Sequence, residues 1–96
     1  MEDDIRALYE EFLEDMAAGV TYKKYFETYC YEDYHSHMEI EEAQRELVEL
    51  MRTWLHENKP GEYVVILTLD YCIFVFTLEE AHLRDYITFE PSNIVK

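Results

Sequence analysis

The spacing of apolar residues predicts a helix at the start of the chain. Apolar side chains recur there at the three- and four-residue intervals of an amphipathic helix, at Ile5, Leu8, Tyr9, Phe12, Leu13 and Met16. Ala17-Ala18-Gly19 supplies a left-handed stop, so the helix is predicted to span about residues 3 to 18. The spacing returns after Thr21, which can serve as an N-cap, and predicts a second helix from Tyr22 to about Tyr34.

A third helix is predicted from Ser36, which forms a capping box with Glu39. Lys59-Pro60-Gly61 ends this helix. Its apolar residues share one face: Ile40, Ala43, Leu47, Met51, Trp54 and Leu55.

The pattern then changes to one typical of β-strands. Two runs of β-branched and aromatic residues, Tyr63–Leu69 and Cys72–Thr77, predict a strand pair joined near Asp70-Tyr71 by a turn without glycine. Both runs are apolar on both faces. We therefore expect one sheet face to pack on the helices and the other to meet a short helix, a second subunit or a partner.

The last part of the chain predicts a short helix and an extended segment. Thr77 and Glu80 form a second capping-box pattern before a helix from Leu78 to Arg84, and an extended stretch over residues 86–89 stops at Pro91. The predicted fold class is α+β. Three N-terminal helices pack on a small antiparallel sheet of two to three strands, with a short helix between the last strands, in a single domain of residues 1–96.

The chain is strongly acidic. It carries 22 Asp and Glu against 8 Lys and Arg, a formal net charge of -14 on 96 residues. Because 49% of the residues are hydrophobic, the chain is nevertheless expected to fold. Binding to phosphate requires lysine and arginine. The chain has too few of them for a basic patch, which excludes binding to DNA, RNA or an anionic membrane through such a patch. We therefore expect a protein partner with a basic surface.

The acids of the first helix form one face. Residues 1 to 20 hold 7 acids and 1 base, whereas residues 39 to 59 hold 6 acids and 3 bases. In the later segment, Glu41 with Arg45 and Glu49 with Arg52 have the spacing of helical ion pairs, whereas the first helix places like charges four residues apart, Glu10 with Glu14 and Glu11 with Asp15. We predict that the acids opposite its apolar stripe bind the partner: Asp3, Asp4, Glu10, Glu11, Glu14 and Asp15.

Tyrosines supply a second candidate surface. Five of the nine lie between Tyr22 and Tyr34, and those on the apolar stripe of the predicted second helix are expected in the core. Exposed tyrosine beside carboxylates is typical of protein-binding surfaces, because tyrosine gives a large contact area at low entropic cost. The predicted partner-binding residues off the stripe are Tyr31, Glu32, Asp33 and Tyr34.

The sequence does not support catalysis, a metal site or a cofactor. His35 and His37 follow Cys30, but a His-x-His pair without a further supported ligand does not define a metal site. Gly19 and Gly61 are the only glycines, so no glycine-rich phosphate loop is present. The N-terminal residues lack the features of a secretory signal, and a cytoplasmic location is expected. Cys30 and Cys72 are then expected to be free thiols.

This combination of small size, carboxylates on helix faces, abundant tyrosine and no catalytic constellation resembles the nucleic-acid-mimic inhibitors of bacteriophages and mobile elements, notably anti-CRISPR and anti-restriction proteins. The resemblance rests on composition and on the clusters at residues 3–15 and 31–34, without a family motif. It implies a stoichiometric inhibitor in the host bacterial cytoplasm. Its target would be the basic nucleic-acid-binding surface of a nuclease or ribonucleoprotein effector, where it would block DNA or RNA binding or activation.

Two other classes of protein share these features. An immunity protein or antitoxin would also be small and acidic, and would neutralise one basic nuclease toxin. The apolar faces of the predicted strands also suit a small interaction subunit that acts as a homodimer.

Overall fold

The structure is a computed structural model that describes residues 2–26, 36–68 and 71–83. A strand follows each of the first two helices, so the helices do not form one block before the sheet. In chain order the elements are α1 (Glu2–Ala18), β1 (Tyr22–Tyr25), α2 (His37–Asn58), β2 (Tyr63–Leu67), β3 (Ile73–Thr77) and α3 (Leu78–Leu83).

The three strands form one antiparallel sheet in the order β1-β3-β2. Tyr22 pairs with Phe76 in one ladder, and Val64 pairs with Phe76 in the other. Since β1 and β2 both run antiparallel to β3, they run parallel to each other. The fold therefore consists of two helix-then-strand units side by side, α1 with β1 and α2 with β2, and β3 lies between their strands.

The prediction that three helices precede the sheet is wrong, because residues 22–25 form a strand instead of starting a helix. The three-residue spacing of Tyr22 and Tyr25 resembles a helical stripe, but in a strand it places the two side chains on opposite faces. The Tyr22 ring lies against those of Phe74 and Phe76, with its centroid 6.0 Å from the first and 5.8 Å from the second. Tyr25 is buried on the helix-covered face, where its ring meets that of Phe12 at 6.0 Å.

Other predicted elements are confirmed. The first helix ends at Ala18 before Gly19, whose φ of 78° is a left-handed conformation that favours glycine. Ser36 caps α2 by accepting a hydrogen bond from the Glu39 backbone N–H at 3.2 Å. The helix ends at Asn58, and Lys59 is its C-cap. The predicted extended segment at residues 86–89 lies outside the described residues.

The strand pair and the short helix that follows it are also confirmed. The hairpin between β2 and β3 closes with a hydrogen bond from the Thr68 backbone N–H to the Cys72 carbonyl at 3.0 Å. No glycine is needed because Tyr71 itself adopts φ 60°. Thr77 caps α3 by accepting a hydrogen bond from the Glu80 N–H at 3.0 Å.

The sheet separates two hydrophobic clusters. The larger lies between the sheet and the helices α1 and α2, and its buried side chains include Phe12, Leu47, Met51, Val65 and Val75. The smaller lies on the opposite face, where Val64, Ile66 and Phe76 pack with Ala81 of α3. One sheet face thus packs on α1 and α2, as predicted, and the other packs against a short helix, which is one of the three alternatives predicted for that face.

Candidate protein-binding site

The acids of α1 divide into two groups that the sequence did not distinguish. Glu11 and Asp15 face β1, where the Lys23 ammonium lies 3.1 Å from Glu11 and 2.8 Å from Asp15. Glu10 and Glu14 are exposed. The base that neutralises part of the acidic face therefore comes from a strand outside the helix, and only part of that face is available to a partner.

Asp15 is the centre of a polar contact that joins β1 to α1. The Tyr25 hydroxyl donates a hydrogen bond of 2.7 Å to the Asp15 carboxylate, and the Lys23 ammonium lies 5.4 Å from the centre of the Tyr25 ring. The Asp15 side chain is only 17% exposed. These contacts give Asp15 a structural role, since removing its carboxylate would take away the acceptor of the Tyr25 hydroxyl and leave Lys23 with Glu11 as its remaining ion-pair partner.

The same contact shifts two pKa values upward. Burial raises the pKa of Tyr25 far above its usual 10.0, and the hydrogen bond and charge of Asp15 add to this effect. Burial lowers the pKa of Lys23, but the hydrogen bonds and negative charges of Asp15 and Glu11 outweigh it, so the pKa is raised above 10.5. Both groups thus keep their protons to a higher pH in the folded chain than in the unfolded chain.

This linkage predicts a loss of stability in alkali. The contribution of Tyr25 is fully present below its unfolded pKa of about 10 and falls as the pH rises above it, because only the unfolded chain then releases the proton. Urea unfolding should show that, between about pH 9 and 11, the free energy of unfolding falls less steeply with pH for Tyr25→Phe than for the parent. The free energy of unfolding of the variant should still fall somewhat with pH, because the pKa values of Lys23 and Tyr63 are also raised in the folded chain. For Tyr63 the main cause of the raised pKa is burial. Parallel declines in the two proteins would contradict the Tyr25 assignment.

The second long helix places two of its glutamates and its two arginines on different flanks. Glu46 and Glu49 lie on the flank that faces α1. Arg45 lines a cavity beside Thr68 and Tyr71 near the hairpin. Arg52 donates a hydrogen bond of 3.1 Å to the Val65 carbonyl of β2. The two arginines are therefore directed toward the β2–β3 side of the molecule.

The ion pairs predicted within α2 are not formed. Where both partners are described, the ion pairs within 4.0 Å are those of Lys23, so Glu41 with Arg45 and Glu49 with Arg52 remain farther apart. Arg52 is held by the Val65 carbonyl instead. The glutamates on the α1 side of this helix are consequently not neutralised by its arginines.

A groove between α1 and α2 was missed by the sequence analysis. Two adjoining depressions of about 260 and 250 Å³ share Tyr9, Glu46 and Leu50 as lining residues. Leu50 is 37% exposed and Tyr9 is half-buried. The groove was missed because it depends on two helices that lie far apart in sequence. A sequence signal was present at Leu50, an apolar residue at the edge of the helical stripe of α2.

The remaining predicted site residues are placed only in part. Asp4 is half-buried on the first turn of α1. The Asp3 side chain and the cluster at residues 31–34 lie outside what the structure describes. The interface predicted at Tyr31, Glu32, Asp33 and Tyr34 therefore stays a prediction.

The described residues contain no group of three or more His, Cys, Asp or Glu side chains that could hold a metal ion. Cys72 is buried and forms no disulfide within the described segments, while Cys30 and His35 lie outside them. Among the helices described, none combines the length and the apolar composition needed to cross a membrane.

Comparison with models of known protein families, with curated proteins and with solved structures finds no match to this chain.

Proposed function

We propose that this protein is a stoichiometric inhibitor that binds the basic nucleic-acid-binding surface of a bacterial defence nuclease or effector complex. The observation that carries the proposal is the exposed acidic side formed by α1 and α2. Glu10 and Glu14 on α1 and Glu46 and Glu49 on α2 are all exposed, and none has an ion pair within 4.0 Å in the described part of the chain.

The arrangement supports binding to a basic protein for electrostatic reasons. Like charges concentrated on one side repel one another, which opposes compaction of the chain. The same field attracts a positively charged surface over a Debye length of about 10 Å at ~0.1 M salt and accelerates association. A surface of exposed carboxylates can occupy a basic groove that otherwise holds the phosphates of a nucleic acid.

The proposal is tested by titrating the protein into DNA-binding and cleavage assays of purified bacterial restriction nucleases and guide-RNA effector complexes. We expect inhibition of at least one effector to reach completion near equimolar protein, without turnover, and the association rate to fall steeply between about 50 and 200 mM salt. The protein itself should not bind DNA or RNA.

Two outcomes would contradict the proposal. One is the absence of inhibition across the panel, and the other is inhibition whose association rate does not change with salt. Inhibition restricted to a single toxin nuclease made by the same cell would favour an immunity protein instead.

A further inference from the structure

The groove between α1 and α2 has a preformed apolar floor. The Tyr9 ring stacks on the buried Phe12 ring, with centroids 6.0 Å apart and planes inclined by 20°. Leu50 lies opposite Tyr9 across the groove, and the buried Ile5 closes one end. Because Phe12 is fully buried in the main core, the Tyr9 ring is held in place before any partner arrives.

The rim of the groove is acidic. Glu46 and Glu49 are exposed above the floor, and Arg6 is the basic residue among the lining side chains. The exposed Glu10 and Glu14 add negative charge on the outer side of α1. An aromatic ring and a leucine beside two carboxylates form a site in which an arginine can stack on the ring while its guanidinium pairs with a carboxylate.

We propose that this groove docks an arginine-bearing segment of the basic protein partner, with an aliphatic side chain against Leu50 and an arginine between Tyr9 and the two glutamates. This inference rests on the proposed function, which requires a basic partner. Charge complementarity selects that partner over a second copy of this chain, since two chains of net charge -14 repel each other.

The dimensions of the groove suit a single segment. Its lining on α2 runs from Glu46 to Thr53, which is about 10 Å at the helical rise per residue. This length matches two turns of a helix, so apolar and basic side chains spaced three or four residues apart on one helix can reach the floor and the rim together.

The experiment uses two synthetic peptides of about 14 residues and equal positive charge. One is an amphipathic helix with arginine and leucine three and four residues apart, and the other carries lysine, serine and glycine only. Binding to the ¹⁵N-labelled protein is followed by NMR. We expect the arginine-leucine peptide to shift the signals of Tyr9, Leu50 and Thr53 and to bind more tightly than the lysine peptide.

Matched variants separate the groove from the overall charge. The double variant Glu46→Lys with Glu49→Lys should lower the affinity for the arginine-leucine peptide by about tenfold or more. The control is Glu41→Lys with Glu62→Lys, which makes the same charge change at two exposed positions away from the groove and should lower this affinity by less than about threefold. Leu50→Ala should lower the affinity for the arginine-leucine peptide and leave the affinity for the lysine peptide unchanged.

Equal weakening by the two double variants, no binding of the arginine-leucine peptide, or shifts confined to other residues would overturn the groove assignment. The proposed function would survive each of these results if the protein still inhibits an effector stoichiometrically. Conversely, groove binding without inhibition of any effector would contradict the proposed function alone.

Discussion

Replacing Phe12 by alanine should lower the free energy of unfolding by about 3–5 kcal/mol, the usual cost of removing a large buried aromatic side chain. Phe12 is fully buried, and its ring meets those of Tyr25 on β1 and Trp54 on α2 at 6.0 and 5.6 Å. One side chain thus joins three elements. The loss is large beside the total stability of about 5–15 kcal/mol that is typical of small domains.

The measurement is urea unfolding followed by circular dichroism, with Leu83→Ala as the control. Leu83 is 74% exposed, so its truncation should change the free energy of unfolding by no more than about 0.5 kcal/mol. A Phe12→Ala protein that loses less than about 1 kcal/mol would show that this side chain does not lie at the junction of the three elements.

Reversing Glu10 and Glu14 to lysine should slow association with the inhibited effector by about tenfold or more while leaving the fold intact. Both side chains are exposed on α1, and steering by surface charge changes association rates by about 10- to 1,000-fold. Stopped-flow rates at low and moderate salt measure the effect, which should diminish as salt rises.

Two comparisons make this prediction specific. Glu41→Lys with Glu62→Lys makes the same change in net charge elsewhere and should slow association much less. Glu11→Lys with Asp15→Lys should instead destabilise the fold, because both residues hold Lys23 and Asp15 also accepts the Tyr25 hydroxyl. Equal rates for the Glu10/Glu14 variant and the parent would place the interface away from the outer face of α1.

The elements that the sequence predicted correctly depend on local chemistry. The first helix has a regular apolar stripe and ends at Ala18, directly before Gly19. Ser36 caps α2, because its side chain accepts a hydrogen bond from a backbone N–H three residues ahead. Thr77 caps α3 in the same way. Each of these signals operates within a few residues, so no knowledge of distant neighbours is needed to recognise it.

The strand β1 was mistaken for a helix because its stability comes from distant residues. Its four residues pair with residues 73–76 of β3, about fifty positions later in the chain. Tyr22 and Tyr25 are hydrophobic in either structure, and only pairing with β3 assigns them to opposite faces. The local preference of four residues for helix or strand cannot predict such a pairing, because tertiary contacts override that preference.

In the candidate site, too, some features follow from the sequence and others only from tertiary contacts. Composition and spacing alone determined that the chain is a strongly acidic α+β protein with carboxylates along α1, because charge and amphipathic period are properties of the sequence. Only the tertiary structure decided which acids remain available. Lys23 on β1 neutralises Glu11 and Asp15, Arg52 turns toward β2, and the packing of α1 beside α2 brings Tyr9, Leu50 and Glu46 together. These contacts join segments far apart in the chain, and their geometry exists only once the sheet has aligned the two helices on one of its faces.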